Sequence, residues 1–352
     1  MPAVLITGVS GFLAAHVALI FLENGWTVHG TLRSDPDKYN FAATPLAPYI
    51  TQGQLKLFTV GPLESADWTE AIRGVEAVVH TASPVDFTPE DFVKRHLEPA
   101  VRGTVGVLEV AAGESGVKSV VLTGSSAASA DWKIPPEKQA GKVYTEDDWN
   151  PYTKEELTKL SDEHSQGEAY PAGTLYYKGA KKYAELAAWE LHEKHGKPWP
   201  MTVLVPTMFL GPPIHPLASL SGSNLSTQIA YSLLAGKDAP VPDTPYPNYV
   251  DVRDIARAHY EAVVRKTNGR FNINGGVTSF QEVVDLGRKL LPELDGRLAL
   301  GTPGKYFYKE VGTYWHDNTK SKEQLGLTYR SKEETVKDTL TRLVELEKQG
   351  LH

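Results

Sequence analysis

The sequence has no cysteine and no long uninterrupted hydrophobic run. The absence of cysteine over 352 residues excludes disulfides, thiolate metal sites and thiol nucleophiles, and we expect no metal. No apolar run approaches the roughly 20 residues of a membrane-spanning helix. The N-terminus enters a strand pattern directly, without the basic and apolar regions of a secretory signal. We therefore expect a cytoplasmic protein that does not bind a membrane.

Basic charge is also scarce, since 36 lysines and arginines stand against 43 aspartates and glutamates. The resulting net charge of −7 argues against nucleic acid or an anionic membrane as the main partner. Hydrophobic residues make up 41% of the chain, which is enough for a large core in one large or two modest domains. We expect a small-molecule ligand and a monomer or homodimer.

The most informative stretch lies at the N-terminus and reads LITGVSGFLA. The apolar run Ala3 to Ile6 predicts a buried strand, and Phe12 to Glu23 predicts a helix. Gly8, Gly11 and Ala14 recur at intervals of three between and after them. Small residues there let the backbone approach a pyrophosphate, and the helix N-terminus offers it free N–H groups. The stretch therefore predicts dinucleotide binding.

Strand and helix patterns then alternate along the chain, which predicts an α/β fold with a doubly wound parallel Rossmann sheet. The further predicted strands are Thr27–Leu32, Leu55–Val60, Ala77–Thr81, Ser119–Thr123, Met201–Val205 and Gly269–Asn274, and the clearest helices are Val93–Ala112 and Ala172–His195. We assign residues 1–204 to a dinucleotide-binding domain, to which residues 248–275 return. Residues 205–352 are predicted to form a smaller, mostly helical substrate-binding lobe.

The second predicted strand ends in Thr31-Leu32-Arg33-Ser34. A nucleotide-binding sheet commonly has an acidic residue there to hold the ribose 2′-hydroxyl. This chain has Arg33 instead, with Lys38 shortly after. A guanidinium suits a 2′-phosphate through forked, charge-assisted hydrogen bonds. The strand end therefore favours NADP over NAD.

Candidate proton-transfer groups follow in two places. The fifth predicted strand ends in Thr123-Gly124-Ser125-Ser126, at the sheet edge where ligands bind. Tyr177 and Lys181 are four residues apart on a predicted helix, so they share one face, and an ammonium there can lower a phenol's pKa. Tyr176 cannot take this role, because Ala180 stands four residues on. The long segment from 131 to 173 between them predicts a functional flap.

Together these motifs resemble the extended short-chain dehydrogenase/reductases. Within them the chain resembles the dihydroflavonol-reductase-like branch, and most closely the fungal aldehyde and ketone reductases. The matching stretches cover nearly the whole chain in the family's order, and they are TGVSGFLA from Thr7, GTLRS from Gly30, HTASP from His80, LTGSS from Leu122, YKGAKKYAELAAW from Tyr177, VDVRDIA from Val250 and DNTKS from Asp317. The resemblance implies an NADPH-dependent carbonyl reductase that converts an aldehyde or ketone to an alcohol.

The resemblance also implies roles for individual residues. Tyr177 would protonate the carbonyl oxygen, Lys181 would hold the nicotinamide ribose and lower the Tyr177 pKa, and Ser126, with Ser125 as the fallback, would hydrogen-bond the substrate oxygen. The implied cofactor contacts are Gly8, Val9, Ser10, Gly11, Phe12 and Leu13 at the pyrophosphate, Arg33 and Lys38 at the 2′-phosphate, Leu63 at the adenine, Thr207 at the carboxamide, and Thr81, Ala82, Ser83 and Ser226 along the cofactor. Val85, Phe87 and Phe209 would line an apolar substrate pocket.

The chain departs from the family pattern in three places. Pro62 stands where an aspartate usually contacts the adenine, and Gly124 stands where a serine or threonine is expected. The flap before Tyr177 matches the family in place but not in sequence, so the identity of the substrate does not transfer.

Two other functions remain open on the same residues. A nucleotide-sugar epimerase or dehydratase uses the same fold, but it keeps NAD bound and favours an acidic residue where Arg33 stands. A non-catalytic NADP-sensing regulator can keep the glycine loop, but it can lose the Tyr-Lys pair that this chain retains. Retention of cofactor by the purified protein would separate the epimerase from the reductase.

Overall fold

We describe a computed structural model of the chain, covering residues 1–160 and 170–352. Part of the predicted flap, 161–169, lies outside the described residues. Among the described residues, no helix combines the length and the apolar character needed to cross a membrane.

A seven-stranded sheet forms the centre of the molecule, with the strand order β10-β7-β5-β4-β1-β2-β3. Every neighbouring pair in it is parallel, which confirms the predicted doubly wound fold. Its strands are β1 Ala3–Ile6, β2 Thr27–Leu32, β3 Leu55–Thr59, β4 Ala77–His80, β5 Ser119–Thr123, β7 Met201–Pro206 and β10 Gly269–Ile273. The order reverses between β1 and β4, so a crevice opens above their carboxyl ends, where such sheets bind ligands.

Two helices cover each face of the sheet. On one face α1 (Phe12–Glu23) packs on α7 (Val252–Arg265), and on the other α3 (Glu98–Gly113) packs on α5 (Ala172–Lys194). Each pair buries its apolar side against the strands in a separate hydrophobic cluster. The helix predicted over Val93–Ala112 begins instead with a π-helical turn, Phe92–Leu97, which then continues as α3.

Helix α2 (Ala47–Thr51) lies between β2 and β3 and packs on β3. The remaining elements belong to the flap and to the C-terminal part of the chain. The helices are α4 Lys154–Lys159, α6 Leu225–Ser232, α8 Phe280–Leu290, α9 Phe307–Glu310, α10 Thr319–Leu325 and α11 Lys332–Lys348, and the strands are β6 Val143–Tyr144, β8 Met208–Leu210, β9 Asn248–Asp251, β11 Gly276–Val277 and β12 Trp315–His316. Pairing of β6 with β12 ties the flap to the C-terminal part of the chain.

The C-terminal helices enclose a hydrophobic cluster of their own, built around Phe280, Leu298 and Leu340. Ser279 and Ser331 begin α8 and α11 as N-caps, and each accepts a hydrogen bond from the backbone N–H three residues on. A separate core is typical of a separate lobe, so the division near residue 205 remains our prediction, with β7 extending through Pro206.

A buried histidine joins helix α7 to strand β5 and makes the free energy of unfolding depend on pH. His259 on α7 hydrogen-bonds through Nε2 with Thr123 Oγ1 at 2.8 Å, and burial lowers its pKa to about 4. Between that value and the ordinary 6.5, only the unfolded chain takes up the proton. The free energy of unfolding therefore falls by about 1.4 kcal/mol per unit as the pH drops through this range.

We expect His259→Gln, which keeps a hydrogen-bonding group but does not titrate, to remove this contribution. Urea unfolding at pH 7 and pH 5 should show a drop in stability about 2 kcal/mol smaller in the variant than in the parent protein. Equal drops in the two proteins would contradict the assignment.

Candidate active site

A cavity of about 1080 Å³ runs along the carboxyl ends of the strands, from the glycine loop to the C-terminal lobe. Most residues predicted for the site line it: Gly8, Ser10, Gly11, Phe12, Leu13, Arg33, Leu63, Thr81, Ala82, Ser83, Val85, Phe87, Ser126, Tyr177, Lys181, Thr207, Phe209 and Ser226. Two predicted residues, Val9 and Lys38, are not among the lining residues. The fold thus brings groups from six separate strand ends into one crevice.

The glycine loop is shaped for close approach of a phosphate. Gly8 has φ +70°, and a Cβ there would lie 3.2 Å from the Cβ of Ala82. The Gly11 N–H donates to the Gly8 carbonyl at 2.8 Å, which closes the turn. Helix α1 then begins with no acidic residue in its first turn, so its first N–H groups and its dipole favour an anion. These features fit the pyrophosphate of a dinucleotide.

Val9 was predicted to contact the cofactor, but it does not line the cavity, because its side chain and its N–H make contacts within the fold. Its side chain is fully buried and occupies the space that a side chain at Gly30 would need. Its N–H donates to the Thr31 carbonyl at 3.0 Å. Val9 therefore has neither an exposed side chain nor a free N–H with which to contact a cofactor.

Arg33 lies at the end of β2, is exposed, and lines the cavity. No carboxylate in the described ranges forms an ion pair with it, so its guanidinium is available to a ligand. Lys38 ends a short 3₁₀ turn, Pro36–Lys38, that Asp35 caps. This turn carries Lys38 away from the cavity wall, where Tyr39 stands instead. Arg33 is thus the cation of this strand end that fits a 2′-phosphate.

Tyr177 lies on α5 beside the end of β5, where its phenol faces the Ser125 hydroxyl. Burial raises the pKa of Tyr177, and the nearby Ser125 hydroxyl opposes this rise. The phenol therefore holds its proton at neutral pH, as a proton donor must. Lys181 is not among the causes of this shift, so the lowering of the Tyr177 pKa by Lys181 stays a prediction.

The structure revises which serine accompanies Tyr177. Ser125, the fallback, faces the phenol in place of Ser126, although both serines line the cavity. Ser125 Oγ also accepts the Ala127 N–H at 3.1 Å, and this leaves its hydroxyl proton free to be donated. Ser126 instead begins the 3₁₀ turn Ser126–Ala128.

Lys181 follows Tyr177 by one helical turn and reaches the same strand end. Its Nζ donates to the Thr123 carbonyl at 3.0 Å and to Ser83 Oγ at 3.5 Å. Burial lowers its pKa to about 8, and the charge of Glu185 opposes that shift. Glu185 itself is paired with Arg270, Nε to Oε1 at 2.6 Å. The lysine is therefore a buried cation with hydrogen-bonding capacity left for a ligand.

Tyr176 points away from the site, as expected. It is buried in an aromatic cluster, where its ring lies 5.5 Å from that of Phe92 and 5.3 Å from that of His96. Its hydroxyl donates to the Leu160 carbonyl. Only one of the two consecutive tyrosines can therefore act in the cavity.

The outer end of the cavity is apolar. Val85 and Phe87 are 62% and 40% exposed and stand at its mouth, with Phe87 against the Tyr177 ring at 5.3 Å. Sequence reasoning missed part of the inner wall, namely Trp132, Lys178, Tyr246, Asn248 and Tyr314. The flap contains two tryptophans, Trp132 and Trp149, and these large apolar residues in a long loop were the available signal for Trp132. Nothing local marked Tyr246 or Tyr314.

Comparison with known proteins agrees with this geometry. Residues 4–274 match the model of the NAD dependent epimerase/dehydratase family. A putative uncharacterized oxidoreductase of Schizosaccharomyces pombe is 34% identical, and the match covers 97% of each chain. The NADPH-dependent methylglyoxal reductase of Saccharomyces cerevisiae is 29% identical, over 98% of this chain and 99% of that protein. A crystal structure of the yeast methylglyoxal/isovaleraldehyde reductase complexed with NADPH is 27% identical, with a TM-score of 0.84 over 99% of each chain.

Proposed function

The chain belongs to the NAD dependent epimerase/dehydratase family, within the extended short-chain dehydrogenase/reductases, and on this premise we propose that it reduces an aldehyde or ketone to an alcohol. It is an oxidoreductase, and its cofactor is NADPH. The observation that carries the proposal is that Tyr177, Ser125 and Lys181 line one cavity together with the glycine loop, with the Tyr177 phenol facing the Ser125 hydroxyl.

NADPH, when bound, supplies a hydride to the carbonyl carbon. The glycine loop and the α1 N-terminus would hold its pyrophosphate, Arg33 its 2′-phosphate, and Lys181 its nicotinamide ribose. Leu63, Thr81, Ala82, Ser83, Thr207 and Ser226 line the rest of the path. The net reaction consumes the carbonyl compound, NADPH and one proton, and it yields the alcohol and NADP⁺.

Three side chains manage the charge that develops on the substrate oxygen. Ser125 donates a hydrogen bond to that oxygen, a contribution of the oxyanion-hole type. Tyr177 donates its phenolic proton to the same oxygen and becomes a phenolate. The Lys181 ammonium, held at the end of β5, stabilises this phenolate until a proton from solvent restores the phenol.

The test is NADPH consumption against a panel of short aldehydes, methylglyoxal, β-keto esters and aryl ketones. We expect turnover of at least one class, with release of NADP⁺ and free exchange of the cofactor. If the purified protein instead retains NAD and consumes no NADPH with any of these carbonyls, the epimerase alternative replaces the proposal. Tight NADPH binding without turnover would favour the NADP-sensing regulator.

We expect Arg33→Ala to weaken the use of NADPH by roughly ten- to a hundredfold in kcat/KM, because a hydrogen bond to a charged group contributes about 1.5–3 kcal/mol. Use of NADH should hardly change, since it has no 2′-phosphate. The loss should shrink in high salt because Arg33 is exposed. Lys38→Ala is the matched control and should have a smaller effect. A variant that loses both cofactors equally would show that Arg33 does not contact the phosphate.

A further inference from the structure

Lys178 follows Tyr177 on α5 and has no role in the mechanism proposed above. Its side chain is 2% exposed, and its Nζ is buried without a hydrogen-bond partner. Within residues 1–160 and 170–352, no carboxylate forms an ion pair with it. Burying an amine in this way is costly unless something compensates it, so this lysine calls for a physical explanation.

Aromatic rings surround the amine. Its Nζ lies 3.6 Å from the ring centre of Trp132, 3.4 Å from that of Tyr170 and 4.9 Å from that of Tyr246. Ring faces attract a positive charge, but they do not neutralise it. Trp132 and Tyr246 line the cavity together with Lys178. A group able to carry a positive charge thus forms part of the cavity wall next to the proton donor.

The groups around Lys178 do not fix the protonation state of its amine, so a bound ligand can change that state. Burial lowers the pKa of Lys178 and is the sole cause of the shift, so the amine loses its proton more readily than an exposed lysine. The facing phenols are neutral, because burial raises the pKa of Tyr170 and raises that of Tyr246 to about 12. Glu137 is the charged residue that acts on Tyr170. An anion placed against Nζ would favour the ammonium form.

We propose that Lys178 binds a carboxylate on the substrate, so that the cavity takes short oxo acids. Tyr177 and Lys178 line the same cavity, and Tyr246 lies near both, with its ring centre 4.9 Å from Lys178 Nζ and its hydroxyl in electrostatic contact with the Tyr177 phenol. One short molecule can therefore present its carbonyl to Tyr177 and its carboxylate to Lys178. Because Nζ is buried among aromatic rings, the low local dielectric strengthens such a charge-assisted contact. This inference rests on the proposed carbonyl reductase and specifies the class of its substrate.

The test compares 3-oxobutanoate with its methyl ester in the parent enzyme and in Lys178→Met, which keeps the length of the side chain without its amine. We expect kcat/KM for the acid to fall about 30-fold, the size of a charged hydrogen bond, and kcat/KM for the ester to change less than about threefold. Lys182→Met is the matched control. That lysine lies on the same helix, donates to the Asn150 and Tyr152 carbonyls at 2.8 and 2.9 Å, and should leave the acid-to-ester ratio unchanged.

Dependence on pH adds a readout that a purely structural role would not affect. Because Lys178 must hold a proton to bind the carboxylate, kcat/KM for the acid should fall relative to the ester as pH rises, and this difference should vanish in Lys178→Met. Calorimetry of 3-oxobutanoate with the NADP⁺-loaded protein measures the same contact without turnover.

Three outcomes would overturn the inference: an unchanged acid-to-ester ratio, an equal loss for both substrates, or a parent enzyme that neither reduces nor binds the acid. If calorimetry shows binding that depends on Lys178 while no carbonyl is reduced, the carboxylate site stands and the proposed reductase fails.

Discussion

Tyr177→Phe should lower carbonyl reduction by about 10²–10⁴-fold, the usual range for loss of a general acid. The phenol is placed beside Ser125 at the end of β5, and it is the proton donor of the proposed reaction. Phenylalanine keeps the ring and its contact with Phe87, so NADPH affinity should change little. Single-turnover rates at saturating cofactor, together with NADPH affinity measured by fluorescence, would test both statements.

Tyr176→Phe is the control that the chain itself offers. This variant loses a hydroxyl of the same kind one residue away, but that hydroxyl donates to the Leu160 carbonyl inside an aromatic cluster. We expect a stability loss of about 1 kcal/mol with nearly unchanged kcat. If the two variants had equal activity, the assignment of Tyr177 as proton donor would be wrong.

Ser125→Ala should reduce kcat by about 10²–10³-fold, the cost of removing one donor of the oxyanion-hole type. The hydroxyl faces the Tyr177 phenol and also caps the turn that Ser126 begins. Loss of that cap alone should cost only about 1 kcal/mol of stability. Ser125→Thr, which retains a hydroxyl, should recover part of the rate and thus separates the two effects.

Ser126→Ala is the matched comparison, because the resemblance to the family assigned the role to Ser126. We expect a loss of less than tenfold in kcat for this variant, from a change in the cavity wall rather than in the chemistry. A larger loss in Ser126→Ala than in Ser125→Ala would restore the original assignment and contradict the geometry at this strand end.

Local patterns determined much of this protein from the sequence alone. The alternation of apolar strands and helices predicted the parallel sheet, and the spacing of Gly8 and Gly11 predicted the tight turn that follows β1. Tyr177 and Lys181 reach the same strand end because residues four apart share one face of a helix. Such features depend on neighbours within a few residues, so they can be read without knowing the fold.

Only the tertiary structure decided the features that depend on residues far apart in the chain. The choice of Ser125 over Ser126 depends on which of the two hydroxyls faces Tyr177, which lies on a helix far along the chain. Val9 does not line the cavity because its side chain packs against Gly30. The rings around Lys178 come from the flap and from the segment before β9. Rotating a turn by one residue changes its local free energy little. Contacts between distant elements therefore decide which side chain faces the cavity.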